Sequence, residues 1–249
     1  MQVVPLTYDV RWSDQLSESF VSDFLSVHSQ VFGALLSRSE FQRKYQENIF
    51  GQSVLVVVYD LDKPVAARAL WRNDLEQKQA YQPVDTCVLP SYQGRGIFRE
   101  MTQKALELLP ADVAIYNFPN HQSRPAYLKI GWRLQGTYHL RLMLSLQSYL
   151  KEHPVQPTTA YLNWWMKGRK TLRCVSCCGK WLIVAKLNKP FCYKVLAVAE
   201  EKLFPTAFPA LCFYDSVKRS FYNKDHQALY VVGRNLDQYI PTWKLDAVE

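Results

Sequence analysis

The chain has 249 residues, of which 48% are hydrophobic, 21% charged and 14% aromatic, with a formal charge of +8. Such a composition excludes a disordered or fibrous protein, and the length allows a sizeable core in one large domain or two smaller ones. No run approaches the roughly 20 apolar residues that span a bilayer, and Met1-Gln2-Val3-Val4-Pro5 lacks the charged and apolar regions of a signal peptide. A cytoplasmic protein without membrane insertion is therefore expected.

The 30 Lys and Arg residues are dispersed, with no block of like charge and no basic arm. This argues against nucleic acid and leaves a surface suited to attracting a polyphosphate or another anion. Six cysteines occur, Cys87, Cys174, Cys177, Cys178, Cys192 and Cys212. Without a secretion signal, disulfides are not expected. The cluster Cys174-Val175-Ser176-Cys177-Cys178 invites a zinc reading. A structural zinc site uses four ligands in paired spacings, however, and neither a second pair nor a nearby His motif follows, so reduced thiols in strands and no metal are expected.

In chain order, residues 3 to 10 read as an edge strand. Ser17 to Gly33 follows helical spacing through Phe20, Phe24, Leu25, Val27, Val31 and Phe32, with Ser13 or Ser17 as cap. Ser37 to Glu47 is a second, more charged helical stretch. Ser53 to Tyr59 is a continuous apolar run, expected as a central strand buried on both faces. Asp60-Leu61-Asp62-Lys63-Pro64 supplies turn residues, and Val65 to Trp71 returns as its hairpin partner. Asn73 to Gln82 reads as a polar loop.

Next comes the most informative stretch, Val84-Asp85-Thr86-Cys87-Val88-Leu89-Pro90-Ser91-Tyr92-Gln93-Gly94-Arg95-Gly96-Ile97-Phe98. A strand ends at a proline, turns through two glycines and enters a helix whose Ile97, Met101, Ala105 and Leu108 share one face. The first turn of a helix carries unpaired N–H groups and a partial positive charge, and glycines admit a phosphate without a Cβ in the way. Taken alone, Gly94-Arg95-Gly96 fits a tight strand-to-helix turn equally well. Val113 to Asn117 forms another strand, and Asn120-His121-Gln122-Ser123 opens a helix that carries Tyr127 and Lys129 and ends at Gly131-Trp132. Leu134 to Leu146 reads as one or two further strands.

Lys151 to Pro157 reads as a linker. Beyond it, Trp181 to Leu196 echoes Leu55 to Leu70 at a constant offset, with Val58/Val184, Leu61/Leu187, Lys63/Lys189, Pro64/Pro190 and Leu70/Leu196 identical. Two unrelated hairpins with the same turn chemistry account for the echo as readily as a repeat does. No glycine loop follows the second hairpin. The aromatic load of this half, including Tyr161, Trp164, Trp165, Phe204, Phe208, Phe221 and Tyr222, is expected to be mostly core.

Two segments carry a family resemblance. Val88-x-Pro90-x-x-Gln93-Gly94-Arg95-Gly96-Ile97 resembles the acetyl-CoA loop of the GNAT acyltransferases, whose pattern is Gln or Arg, two residues, Gly, one residue, then Gly or Ala. Asn120-x-x-Ser123-x-x-x-Tyr127-x-Lys129-x-Gly131-Trp132 is similar to the segment that this family carries after its fifth strand. The match covers about residues 40 to 146. Phe98 departs from it, because the family has a small residue there.

The resemblance implies an α/β fold, an acyl-CoA N-acyltransferase architecture on a mixed sheet, over residues 1–147. Residues 148–249 would then be a C-terminal half, read as a degenerate GNAT-like repeat that shapes the acceptor site. Acetyl-CoA would be held at its pyrophosphate by the backbone of Gln93, Gly94, Arg95, Gly96 and Ile97, and along its pantetheine arm by the backbone near Val88. Asn120 and Ser123 would also face the cofactor, and Tyr127 would protonate the departing thiolate.

For the general base, Asp85 is the best carboxylate by position, because alternate residues of its strand should face the acceptor cleft. Glu100, His121 and His139 stand behind it, and a water chain is an alternative. No Cys or Ser lies in a nucleophile motif, so direct transfer to a primary amine in a ternary complex is expected. The closest resemblance is to bacterial acetyltransferases of surface-polysaccharide synthesis, which implies an amino sugar as acceptor. A Fem-type aminoacyltransferase and an inactive CoA-binding module are the competing readings.

Overall fold

The computed structural model describes residues 5–33, 36–76, 78–142, 146–153, 156–166, 172–177, 180–186, 192–199, 210–215, 229–236 and 240–241. They fall into two compact units, Met1–Asn117 with His121–Arg133 and Val232–Asp237, and Phe118–Asn120 with Leu134–Val231 and Gln238–Glu249. This grouping differs in detail from a division at residue 147, since Leu134 onward lies with the second unit and a short C-terminal piece with the first.

In the first unit the order is β1 (Thr7–Trp12), α1 (Glu18–Phe32), α2 (Arg38–Phe41), β2 (Val54–Asp60), β3 (Lys63–Arg72), β4 (Ala80–Val88), α3 (Ile97–Glu107), β5 (Ala114–Asn117) and α4 (Arg124–Lys129). Helix α1 starts where the Ser17 hydroxyl accepts from the Phe20 N–H at 3.2 Å, and it ends at Gly33, whose φ of +77° suits glycine. A reciprocal capping box between Ser37 and Glu40 starts α2, which widens into a π-helical turn over Gln42–Gln46. Phe24, Phe41 and Tyr45 meet edge to face at centroid distances of 5.4, 4.9 and 6.1 Å and join the helical layer into one aromatic cluster.

The sheet runs β1-β2-β3-β4 with antiparallel neighbours, and β4 continues parallel to β5. Strands β2 and β3 are buried along nearly their whole length, as continuous apolar runs require. Alternation separates two faces. Arg11 of β1 lies over the Phe20 ring at 5.5 Å, and Tyr59 of β2 donates to Asp23 at 2.9 Å, so those side chains face α1. Tyr8 of β1 donates to Glu100 of α3 on the other face. Through the pairs Tyr8↔Val58 and Val58↔Ala66, that second face continues to Ala66 and Arg68 of β3.

Two irregularities of β4 set the geometry of its edge. Its register against β3 shifts between Ala67↔Cys87 and Ala69↔Val84, a bulge at Asp85 and Thr86, and Asp85 takes a φ of +48° that aspartate tolerates better than most residues. On its other side, β4 pairs with β5 only through Ala80↔Ala114 and Tyr81↔Ile115. Past Tyr81 comes Pro83, which has no N–H to offer a ladder and is suited to a strand edge. From Gln82 to Val88, β4 therefore has no strand partner on that side among the described residues. Beyond β5, the antiparallel partner is β11 (Leu229–Arg234), through Val232↔Asn117 to Arg234↔Ile115.

The second unit contains β6 (Arg133–Leu142), α5 (Leu146–Glu152), α6 (Thr159–Met166), β7 (Leu172–Cys177), β8 (Lys180–Lys186), β9 (Cys192–Ala199) and β10 (Ala210–Asp215). Its ladders run β7-β8 antiparallel, β8-β9 antiparallel, β9-β10 parallel and β10-β6 antiparallel. The same series of senses runs through β2-β3-β4-β5-β11. A core of Tyr149, Leu182, Val184 and Val195 forms beneath it, and the Tyr149 hydroxyl donates to the Leu196 carbonyl at 2.9 Å.

Several sequence expectations shift. β4 begins at Ala80, inside the stretch read as loop, and Leu108 is 39% exposed instead of sharing the buried face of α3. Lys151 and Glu152, read as linker, are the last turn of α5. The echoed segments are both hairpins, yet Val58 pairs with Ala66 whereas Val184 pairs with Val195, so their registers do not correspond. The echoed turn 187–190, Cys178, and Phe204, Phe208, Phe221 and Tyr222 lie outside the described residues.

The aromatic cluster supplies a stability test. Phe24 has no solvent exposure and touches two rings, so Phe24→Ala should cost about 3–5 kcal/mol in urea unfolding with acetyl-CoA absent.

Candidate active site

The glycine loop is built as an open anion cradle. After a 3-10 turn at Pro90–Tyr92, Gly94 and Gly96 adopt φ of +78° and +82°, and Gly96 is the left-handed N-cap of α3. An added Cβ would meet nothing within 4 Å at either glycine, and the cap has no side-chain hydrogen bond. The first turn of this eleven-residue helix thus has no side-chain acceptor, and neither loop glycine has a neighbour where a Cβ would stand. An oxyanion such as a pyrophosphate fits that arrangement.

Around it, Ile97 is buried and anchors the helix, while Gln93 Nε2 donates to the Val88 carbonyl at 3.1 Å. Arg95 is exposed, its guanidinium 4.8 Å from the Tyr92 ring centroid and donating to the Ser91 carbonyl at 2.9 Å. Val88 ends β4, at the end of the unpartnered edge. Loop and edge are consecutive in the chain, so an extended ligand whose anionic end sits on α3 could run along β4 as an added strand.

Tyr127 lies in α4, and its ring is buried between Phe98 at 5.2 Å and Trp132 at 4.7 Å. Phe98, the departure from the family pattern, thus brings the second residue of α3 against Tyr127. The Tyr127 oxygen accepts from Arg68 Nη2 at 3.0 Å. Arg68 is wholly buried, with its guanidinium carbon 4.6 Å from the Phe98 centroid and 5.5 Å from that of Tyr127. Burial pushes the guanidinium below its usual range, and the Tyr127 hydroxyl opposes that shift.

Asp85 is found on the opposite face, toward α1. Lys44 Nζ reaches its two oxygens at 3.1 and 2.9 Å, Tyr45 donates its hydroxyl to one of them, and His28 Nε2 lies 3.8 Å away. The π-turn presents the adjacent Lys44 and Tyr45 to this one carboxylate. Burial alone would raise the pKa of Asp85, but the Lys44 charge, the neighbouring His28 and the hydrogen bonds from Tyr45 and Lys44 outweigh it and hold the carboxyl well below the usual carboxylate range. Tyr45 is pushed well above its ordinary value, first by burial and then by the Asp85 charge. Cys87 on the same strand is pushed up to about 12, again first by burial and then by Asp85.

Of the remaining expected residues, Ser123 is the N-cap of α4, and its carbonyl accepts from the Ala126 and Tyr127 N–H groups at 3.0 and 3.2 Å. Asn120 is exposed and groups with the second unit. The structure therefore brings together the loop, the β4 edge and Tyr127, and it places Asp85 in a separate cluster. Sequence reasoning missed Arg68, His28, Lys44 and Tyr45. Arg68 did leave a signal, as the only charge in the apolar run Val65-Ala66-Ala67-Arg68-Ala69-Leu70-Trp71. No group of three or more His, Cys, Asp or Glu able to hold a metal occurs among the described residues, and no described helix is long and apolar enough to cross a membrane.

Residues 14–132 match the Acetyltransferase (GNAT) family. In fold, the chain is similar to a GCN5-related N-acetyltransferase from Anabaena variabilis, at 11% identity and a TM-score of 0.56, over 91% of this chain and 72% of that one. It is likewise similar to a GCN5-related N-acetyltransferase from Kribbella flavida, at 13% identity and a TM-score of 0.51, with the same coverages. No curated protein matches the chain. The segment 14–132 is a GNAT acetyltransferase domain, which makes acyl transfer the class of chemistry, and the likeness in fold extends beyond that segment.

Asp85 yields a prediction about pH. Its carboxyl is depressed in the folded state, so its contribution is complete above the ordinary carboxylate value of about 3.9 and is lost as the pH falls below it. Asp85→Asn should leave Lys44 buried without its anion and cost about 3 kcal/mol near neutral pH. Thermal melts of the variant should also show a shallower acid limb between about pH 5 and pH 3 than those of the wild type.

Proposed function

We propose that this domain binds acetyl-CoA and passes the acetyl group directly to a primary amine, in a ternary complex in the cytoplasm. The observation that carries this reading is the coincidence of the open glycine cap of α3 with a β4 edge that leaves β5 after Tyr81. The pyrophosphate would rest on the N–H groups from Gln93 to Ile97. The pantetheine arm would pair along β4 near Val88, displacing the Gln93 amide from the Val88 carbonyl. Ser123, at the N-cap of α4, would flank the cofactor.

Acetyl-CoA supplies an activated acyl group and a thiolate leaving group. Tyr127 would hydrogen-bond or protonate the departing sulfur. Its oxygen already accepts from Arg68, and a guanidinium can only donate, so the hydroxyl proton is free to point elsewhere. Direct transfer is favoured because the Cys87 thiol, pushed up to about 12, would be a poor nucleophile. Holding amine and thioester in line would supply about 7–11 kcal/mol of the barrier reduction.

Asp85 was expected as the base. A carboxylate held so low accepts an ammonium proton poorly, so we assign it the fixing of Lys44, Tyr45 and His28 beside the bulge and leave the amine's proton to a water chain. An amino sugar is the acceptor class that the resemblance to polysaccharide acetyltransferases favours. For the second unit, the ladder order supports a GNAT-like half that has lost its cofactor, since residues 200–209 between β9 and β10 contain no glycine.

CoA release measured against amino sugars, polyamines and peptides should single out amino sugars. Turnover on none of these amines, with acetyl-CoA still bound, would instead indicate a binding module. Tyr127→Phe should lower kcat roughly 10²-fold while leaving the acetyl-CoA Kd within about twofold, and an unchanged kcat would remove Tyr127 from the acid role. Gly96→Asp sets a side chain at φ +82° and a negative charge against the pyrophosphate, and calorimetry should show acetyl-CoA binding weakened by at least about tenfold.

A further inference from the structure

Arg68 is a buried cation whose position the fold alone does not justify. It sits in the middle of β3 among Ala66, Ala67 and Ala69, with no solvent exposure. Its Nη2 donates to Tyr127, while its Nε and Nη1 are buried with no hydrogen-bond partner among the described residues. No carboxylate among the described residues is paired with it, and Tyr127 is the one titratable group acting on it. The Phe98 and Tyr127 rings cover the guanidinium and recover part of the lost solvation. A buried cation without an anion nevertheless costs several kcal/mol, and an apolar side chain of similar volume would stabilise the strand more. Three donors and a full charge are held in a dry place beside a hydroxyl.

We infer that Arg68 is a positioning residue that, through Tyr127, meets the negative charge developing on the thioester sulfur as the acyl group leaves. This rests on the placement of that sulfur at Tyr127 under the proposed function. As the amine nitrogen bonds to the carbonyl carbon, the C–S bond breaks and its electron pair goes to sulfur, while the amine's surplus proton leaves through water. The Tyr127 O–H shares its proton with that sulfur or gives it up. If it gives it up, the phenolate oxygen forms directly against the Arg68 Nη2–H and is reprotonated from solvent. In either case the uncompensated positive charge of the resting protein is balanced when negative charge appears, which is stabilisation realised in the transition state and not in the ground state. Phe98 then has a use: its ring keeps water from the guanidinium, so the charge acts across a medium of low dielectric.

The inference can be tested without turnover. CoA and desulfo-CoA differ at the sulfur, and a site that favours the thiolate lowers the thiol's pKa on binding. Affinity for CoA relative to desulfo-CoA should then rise by roughly tenfold as the pH goes from about 7 to about 9 in the wild type. In Arg68→Met the ratio should stay flat, and Arg68→Lys should restore part of the rise. For turnover, Arg68→Met should lower kcat roughly tenfold or more with the acetyl-CoA KM within about twofold.

A pH-independent ratio in the wild type would overturn the inference with no variant needed, which covers the case in which Arg68→Met fails to fold. A folded Arg68→Met that keeps both its kcat and the rise would also overturn it. Tyr127→Phe separates the two claims. If it is slow while Arg68→Met is not, only the role of Arg68 falls; if it turns over normally, the placement of the sulfur falls first.

Discussion

Strand β4 cannot complete its ladder, and the rest of the first unit is arranged around that fact. It holds β5 for two residue pairs, Ala80 to Ala114 and Tyr81 to Ile115, and then runs on to Val88 with no further strand partner on that side among the described residues. Backbone N–H and C=O groups left unpaired inside a fold must find partners, so a free edge at the centre of a sheet is either a defect or a binding surface. Here the edge leads without interruption into a glycine cap whose N–H groups also lack a side-chain acceptor. A ligand with a long extended arm and an anionic end would satisfy both, and this is why the donor side can be argued from backbone geometry before any side chain is considered.

The bulge at Asp85 then divides the chemistry between two faces of the sheet. Toward α1, the carboxylate gathers Lys44, Tyr45 and His28 into a cluster whose charges cancel. Toward α3 and α4, Arg68 holds a positive charge that no described carboxylate cancels, against the hydroxyl of Tyr127. The contrast is energetic. The first cluster is a satisfied network that stabilises and fixes the α1 side, whereas the second carries a desolvation cost that a ligand or a transition state would relieve. Both depend on strands β2 and β3, whose small β-branched and alanine side chains leave room for large polar side chains between sheet and helices.

Much of this was legible in the sequence, for identifiable reasons. Helix α1 and the β2–β3 hairpin have strong periodicity and local caps, Ser17 and the Asp60 to Pro64 turn, so local rules place them within a residue or two. The loop is readable because the two glycines between strand and helix, at positions that take a positive φ, are followed by Tyr127 at the family spacing, a combination that a plain turn does not require. The Asp85 network was not readable. It joins residues some forty positions apart through a π-turn, a form that no hydrophobic period announces. Asp85 looked like a free carboxylate on a strand, and only the three-dimensional neighbourhood shows that its lone pairs are taken. The role of Arg68 was equally hidden, because a single charge in an apolar strand does not say which of its donors remain unpaired. In the second unit, the turn chemistry suggested a repeat in one register, whereas the ladder senses repeat in another.

Hydrogen–deuterium exchange with and without acetyl-CoA addresses the central claim most directly. The amides of Gly94 to Phe98 and of Val84 to Val88 should both gain protection on saturation, with those of β1 and β2 unchanged. Protection confined to other segments, or none at either the loop or the β4 edge, would contradict the account.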